Sequence, residues 1–254
     1  MYKVFAADIR RLLKNKNFYH LNVLWVVEYG LVFVLLFGLF DDFLGIDKLY
    51  AEDIFLQGIS VLPLISSIFV GNYMGEEFRD GTIRNKIIRG AGRLEIYTSA
   101  ICYTIFVSLM TQVVLFLTSL LFGYTFLDGC MSVSGFVIRS GIFTLAGIAI
   151  SVFFTGLIYI FGSSKVSYVI CPSLVIVFYF VNTFVEYKLY PQSGPCTLTT
   201  SMQEAFLFVD KYIPLTYFYG DLMHNASCYI IGSIGLALLG IVMGAVVFLK
   251  KDLK

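Results

Sequence analysis

The chain has 254 residues, 58% of them hydrophobic and 14% charged, with a mean hydropathy of +0.84. Ordinary soluble domains carry about 25% charged residues, and a soluble core of this size has no room for so much apolar surface. The net charge of +1 is a near-neutral balance that says nothing about nucleic acid, and no nucleic-acid partner is expected; the placement of the charges matters more than their sum.

Residues 1–16 hold five basic side chains but no short apolar core with a cleavage site, so the first span is expected to stay as an uncleaved anchor. Tyr2, Phe5, Ile9, Leu12 and Leu13 recur at helical spacing, with Lys3, Asp8, Arg10, Arg11 and Lys14 between them. This pattern predicts a helix along the inner membrane surface, its cations near anionic lipid, in preference to a plain extension of the first span.

A span needs about 20 apolar residues. Runs of that kind cover residues 19–40, 54–74, 96–122, 136–161, 166–185 and 228–249, predicting six spans in one transmembrane domain over residues 1–254. The segments at one face hold fourteen Lys and Arg residues and those at the other hold four, namely Lys48, Arg139, Lys188 and Lys211. Short cytoplasmic loops are enriched in Lys and Arg, so both termini are placed in the cytoplasm. Residues 186–227 form the longest outer loop. Ser201 and Glu204 fit a capping box, and aromatic residues follow, which predicts a short interfacial or re-entrant helix before the last span.

Inside the spans, Glu28 is a carboxyl near the middle of span one, with Asn22 on roughly the same side. Either they form a polar wall of a translocation path or a subunit contact, or Glu28 is a protonated or hydrogen-bonded structural group. Pro63 and Pro172 are expected to bend spans two and five, bends that gating could use. Thr144, Gly147, Ser151 and Thr155 in span four, and Gly240 and Gly244 in span six, make small-residue stripes suited to close helix packing within the chain.

Five cysteines lie without C-x-x-C spacing, and one pair among Cys130, Cys196 and Cys228 is open to a disulfide. The chain has no phosphate-binding glycine loop, no H-E-x-x-H, no nucleophile elbow and only two histidines, so no catalytic, cofactor or metal site is expected.

The most informative stretch is residues 76–97, between spans two and three. Thr82 to Arg89 reads as a short helix with Ile83 and Ile87 on one side, Ile88 beside them, and Arg84, Lys86 and Arg89 flanking. An apolar ridge with basic edges suits docking into a partner's groove; the bland alternative is a positive-inside loop lying on lipid. Glu76, Glu77, Phe78, Gly81, Thr82, Ile83 and Arg84 resemble the hallmark of type-2 ABC transporter permeases, in which an acidic residue and an aromatic precede G-T-[IL]-R and a short coupling helix. Gly90-Ala-Gly-Arg93 stands where members often carry Pro-Val-Ser-Arg. The layout of surface helix, six spans, coupling segment at 76–94 and outer helix is similar as well.

That resemblance implies the membrane subunit of a bacterial exporter in the cytoplasmic membrane. Such a subunit is not itself an enzyme. It pairs with a second copy as a homodimer and docks a separate cytoplasmic ATPase that binds ATP and Mg. Spans one, two and five would line the path. Lys86, Ile87 and Arg89 would join the residues above as the coupling contact, and the cargo would be a peptide or other amphipathic substrate. Other readings are an exporter of drugs or lipids, a secondary transporter, and a non-transporting immunity or sensor protein.

Overall fold

A computed structural model describes residues 2–16, 18–19, 22–23, 50–127, 129–130, 132–189, 198–214 and 222–251. Among them every regular element is a helix. These are α1 (Tyr2–Lys14), α2 (Ala51–Arg79), α3 (Thr82–Ile88), α4 (Arg93–Phe126), α5 (Val133–Phe161), α6 (Ser164–Leu189), α7 (Thr200–Tyr212) and α8 (Leu222–Lys250). Four of them, α4, α5, α6 from Tyr168 and α8 from Ala226, are long and apolar enough to cross a membrane. Over its described residues the chain is all-helical, with four helices of the length and composition of membrane spans.

The long helices run up and down, and their ends meet in two sets. At one end Ala51 donates its amide to the Gly129 carbonyl at 2.8 Å, and Ser132 donates to Glu52 Oε1 at 3.1 Å, joining the start of α2 to the α4–α5 turn. At the other end lie α1, α3, the start of α4, the finish of α5 and the finish of α8. There Arg93 donates to the carbonyls of Leu249 at 2.9 Å and Lys251 at 2.7 Å. Lys251 in turn donates to the Ile160 carbonyl at 2.8 Å and to that of Phe161. The last carbonyls of a helix have no partner within it, and these two cations supply one for α5 and α8. Gly162 closes α5 at φ 61, a left-handed backbone that suits glycine.

α5 is the central helix: 67% of its apolar window is buried in the chain, against 17% for α6 and α8. Its tightest neighbour is α8. A Cβ on Gly240 would lie 2.6 Å from Phe153 Cα, and one on Gly244 would lie 2.8 Å from Gly156 Cα, so the two backbones touch where side chains would hold them apart. The Tyr97 hydroxyl, from α4, donates to the Gly240 carbonyl at 3.0 Å in the same contact. The small-residue stripes thus serve packing within the chain. Gly147 is covered by the Gln112 amide, and Thr104 and Thr155 share a hydrogen bond at 2.8 Å between α4 and α5. Thr111, Ser119 and Ser151 donate to the carbonyl four residues back; of Thr104 and Thr155, one donates to its own helix's carbonyl and the other to its partner hydroxyl, so these hydroxyls are satisfied in an apolar interior.

Pro63 is buried within α2 and Pro172 lies within α6. The helix before the last span starts one residue earlier than Ser201 and has Thr199 at its N-cap, without a side-chain cap, which corrects the capping-box expectation. Its 13 residues reach roughly 20 Å, short of a hydrocarbon core of about 30 Å. Cys130 and Cys228 are free thiols; Cys196 and Glu28 lie outside the described residues, as does most of residues 19–40. Asn22 is buried and donates Nδ2 to the Phe18 carbonyl at 2.9 Å.

Candidate functional site: the α1–α3 end of the bundle

α2 stops at Arg79, and the chain turns through Gly81 at φ 65. Nothing lies within 4 Å of where a Cβ would sit, so it is the left-handed backbone, and not crowding, that calls for glycine here. The turn starts α3, whose two faces differ sharply. Ile83 is 2% exposed in the core cluster, and Ile87 packs against that cluster. Ile88 is 72% exposed, with Arg84, Asn85 and Arg89 also outward. The ridge expected to meet a partner is therefore split: Ile83 and Ile87 root α3 in its own chain, and Ile88 is the apolar residue left facing out.

Lys86 also turns inward. Its ammonium donates to Glu77 Oε1 at 2.8 Å and to Asp8 at 3.0 and 3.3 Å. Asp8 further accepts from Ser99 Oγ at 3.0 Å and the Tyr73 hydroxyl at 3.3 Å. One carboxylate of α1 thereby joins α2, α3 and α4. Arg11 lies 3.7 Å from Glu76 and 3.8 Å from Glu77, with its guanidinium over the Tyr73 ring. Burial pushes the Glu77 carboxyl above its ordinary range; Lys86 and Arg11 oppose this, and Asp8 adds to it. Phe78 sets its ring edge-on to Tyr159, centroids 5.4 Å apart, and so anchors the α2 end to α5.

Of the coupling residues expected from sequence, Glu76, Glu77, Phe78, Gly81, Thr82, Ile83, Arg84, Lys86, Ile87 and Arg89 all gather at this end. Glu77, Phe78, Ile83, Lys86 and Ile87 point into the chain, and Arg84 and Arg89 point out. Asn22, Pro63 and Pro172 are not part of the group. Sequence reasoning missed Asp8, Tyr73, Ser99, Arg93 and Lys251. Asp8 left a usable signal: with Phe5, Ile9 and Leu12 it falls at i, i+3, i+4, i+7, an acid within the apolar stripe. α1 is accordingly not a helix resting on lipid alone, since Asp8 and Leu12 are buried against the bundle.

A groove of about 710 Å³ separates α1 from α3, lined by Ala7, Asp8, Arg11, Lys86, Arg89 and Glu95 among others, and Lys86 spans it. Among the described residues no group of three or more His, Cys, Asp or Glu side chains is placed to hold a metal ion. Lys86 thus ties α3 to α1 through Asp8 and to α2 through Glu77. No protein-family model matches the chain, and no curated protein matches it.

Proposed function

We propose that the chain is the membrane-spanning permease of an ATP-driven exporter, coupled through α3 to a separate cytoplasmic ATPase that holds the ATP and Mg. The observation that carries this reading is the two-sided α3. It is rooted by Ile83, Ile87 and Lys86 and presents Ile88 between Arg84 and Arg89 at the end of the bundle richest in basic residues. An apolar knob with a cationic rim is what a helix needs to seat in a partner's groove.

In this reading there are six spans. α2, about 43 Å long at 1.5 Å per residue, and residues 19–40 join the four helices above. Both termini and α3 lie in the cytoplasm by the charge asymmetry. α6 and α8 leave most of their apolar surface outside the chain's own core, available to lipid and to a second copy in a homodimer. Amphipathic peptides are the favoured cargo, on the resemblance of residues 76–97 and the aromatic content of 17%.

The test is pull-down of the native complex and measurement of the ATPase that accompanies it. Arg84→Ala with Ile88→Ala is expected to lose most of the bound ATPase while the chain keeps its thermal midpoint. Ile83→Ala with Ile87→Ala is expected to lower the midpoint itself, since buried Ile→Ala changes cost about 2–5 kcal/mol each in well-packed cores. An outward-face variant that retains its ATPase in full would remove the support for coupling at α3.

Orientation has its own check. In a chain whose native cysteines are replaced by serine, Ser134→Cys is expected to react with an impermeant thiol reagent added to intact cells. Arg89→Cys is expected to react only after permeabilisation. Both positions are exposed and they sit at opposite ends of the bundle. The reverse pattern would invert the topology.

A further inference from the structure

Two depressions flank the last turn of α1. The first, about 610 Å³, is lined by Arg10, Arg11, Lys14, Asn15 and Glu76, three cations against one carboxylate. Arg11 is engaged by Glu76, Glu77 and the Tyr73 ring. Arg10 and Lys14 are exposed and form no ion pair among the described residues. The second depression, about 440 Å³, presents only apolar atoms, from Leu13, Phe18, Tyr19, Phe106, Met110 and Val114 among others. Asn22 borders it with no exposed polar surface: its Nδ2 donates to the Phe18 carbonyl, and its Oδ1 is buried without a partner among the described residues. The two are joined by the chain itself: Leu13 precedes Lys14 and lies one turn from Arg10, and Asn15 accepts the Phe18 amide at 3.1 Å.

We propose that this pair of depressions is a binding site for one glycerophospholipid of net negative charge, its phosphate at Arg10 and Lys14 and one acyl chain along Phe18, Phe106 and Met110. Charge complementarity selects the headgroup, since a zwitterionic lipid brings its own cation toward Arg10 and Lys14. The dry groove selects a tail, since a soluble phosphate has nothing to place there. The site stands independently of the exporter reading.

Native mass spectrometry of the purified full chain in a neutral detergent tests it, with phosphatidylglycerol and phosphatidylcholine titrated in turn. One phosphatidylglycerol per chain is expected to be retained at concentrations where phosphatidylcholine is several-fold less bound. Arg10→Gln with Lys14→Gln, both exposed and harmless to folding, is expected to lower phosphatidylglycerol retention roughly tenfold or more and leave phosphatidylcholine unchanged. Met110→Trp, which fills the groove, is expected to lower both. Glycerol phosphate at the same concentration is expected not to displace the lipid. Lys250→Gln, an exposed cation at the finish of α8, is expected to change nothing. The proposal is overturned by equal retention of the two lipids, or by parental retention in the Arg10 and Lys14 variant. An equal loss in Lys250→Gln would reduce the effect to general surface charge, and displacement by glycerol phosphate would reduce it to the headgroup alone; either also overturns the site. Should Met110→Trp fail to fold, the charge variants still decide.

Discussion

Replacing Lys86 with alanine is expected to destabilise the chain by about 3 kcal/mol or more, the range for removing one partner of a buried ion pair. The ammonium sits between two carboxylates whose side chains are only 8% (Asp8) and 2% (Glu77) exposed, and its own side chain is 17% exposed. Without it, Asp8 and Glu77 face each other with Arg11 as the remaining nearby cation, at 3.8 Å from Glu77. From sequence alone Lys86 is a rim charge of an interface, a position where removal costs little; the structure makes it the tie between α1, α2 and α3.

A pH signature accompanies the loss. Burial already holds the Glu77 carboxyl above its ordinary range, and Lys86 is the foremost influence pulling it down. A carboxyl whose folded value exceeds its unfolded value favours the folded chain below the unfolded value. That advantage disappears as the pH climbs through the folded value. The Lys86→Ala chain should therefore recover part of its thermal midpoint as the pH is lowered from about 8 to about 5, more steeply than the parent. A variant as stable as the parent, or a flat pH response, would show that this network does not hold α1 in place.

Gly156→Leu is expected to be comparably damaging for a different reason. A Cβ on Gly156 would collide with the carbonyl oxygen of Gly240 and come within 2.9 Å of its carbonyl carbon. These are backbone atoms, which cannot swing aside as a flexible side chain can. Relief requires α5 and α8 to separate, and that strips the Tyr97 hydroxyl from the Gly240 carbonyl. Overpacking in a well-filled core costs about 1–3 kcal/mol, and a rigid backbone contact belongs at or above the upper end. Gly141 is the control: it sits in the same helix, exposed, with nothing within 4 Å of its would-be Cβ. Gly141→Leu should leave the midpoint near parental or raise it slightly, because leucine is the better helix former. Equal effects at the two positions would mean that α5 and α8 do not meet as described.

The long helices were legible because apolar run length is read directly from sequence. The expected runs 96–122, 136–161, 166–185 and 228–249 all fall inside α4, α5, α6 and α8. Each helix runs past its apolar stretch, because polar residues such as Arg93 and Lys188 continue the hydrogen-bonded spiral beyond the greasy segment. The short α3 was legible as a helix but its facing was not. Ile83 and Ile87 at i, i+4 look the same whether they meet a partner or their own core, and only the position of α2 and α4 around them decides. Asp8 shows the same limit: its partners stand 65 to 91 residues away, a separation no local pattern encodes.

Those separations also bear on the order of events during synthesis. The Asp8 carboxylate needs Tyr73, Lys86 and Ser99, the last 91 positions further along. At ribosomal speeds of about 5–20 residues per second, α1 waits roughly 5–20 seconds before its final partner has even been polymerised. Tyr73 and Lys86 arrive earlier, 65 and 78 positions after Asp8, so its contacts with α2 and α3 can form before the one with α4. The N-terminal helix is therefore fastened in stages, and its last tie closes only once the start of α4 is in place.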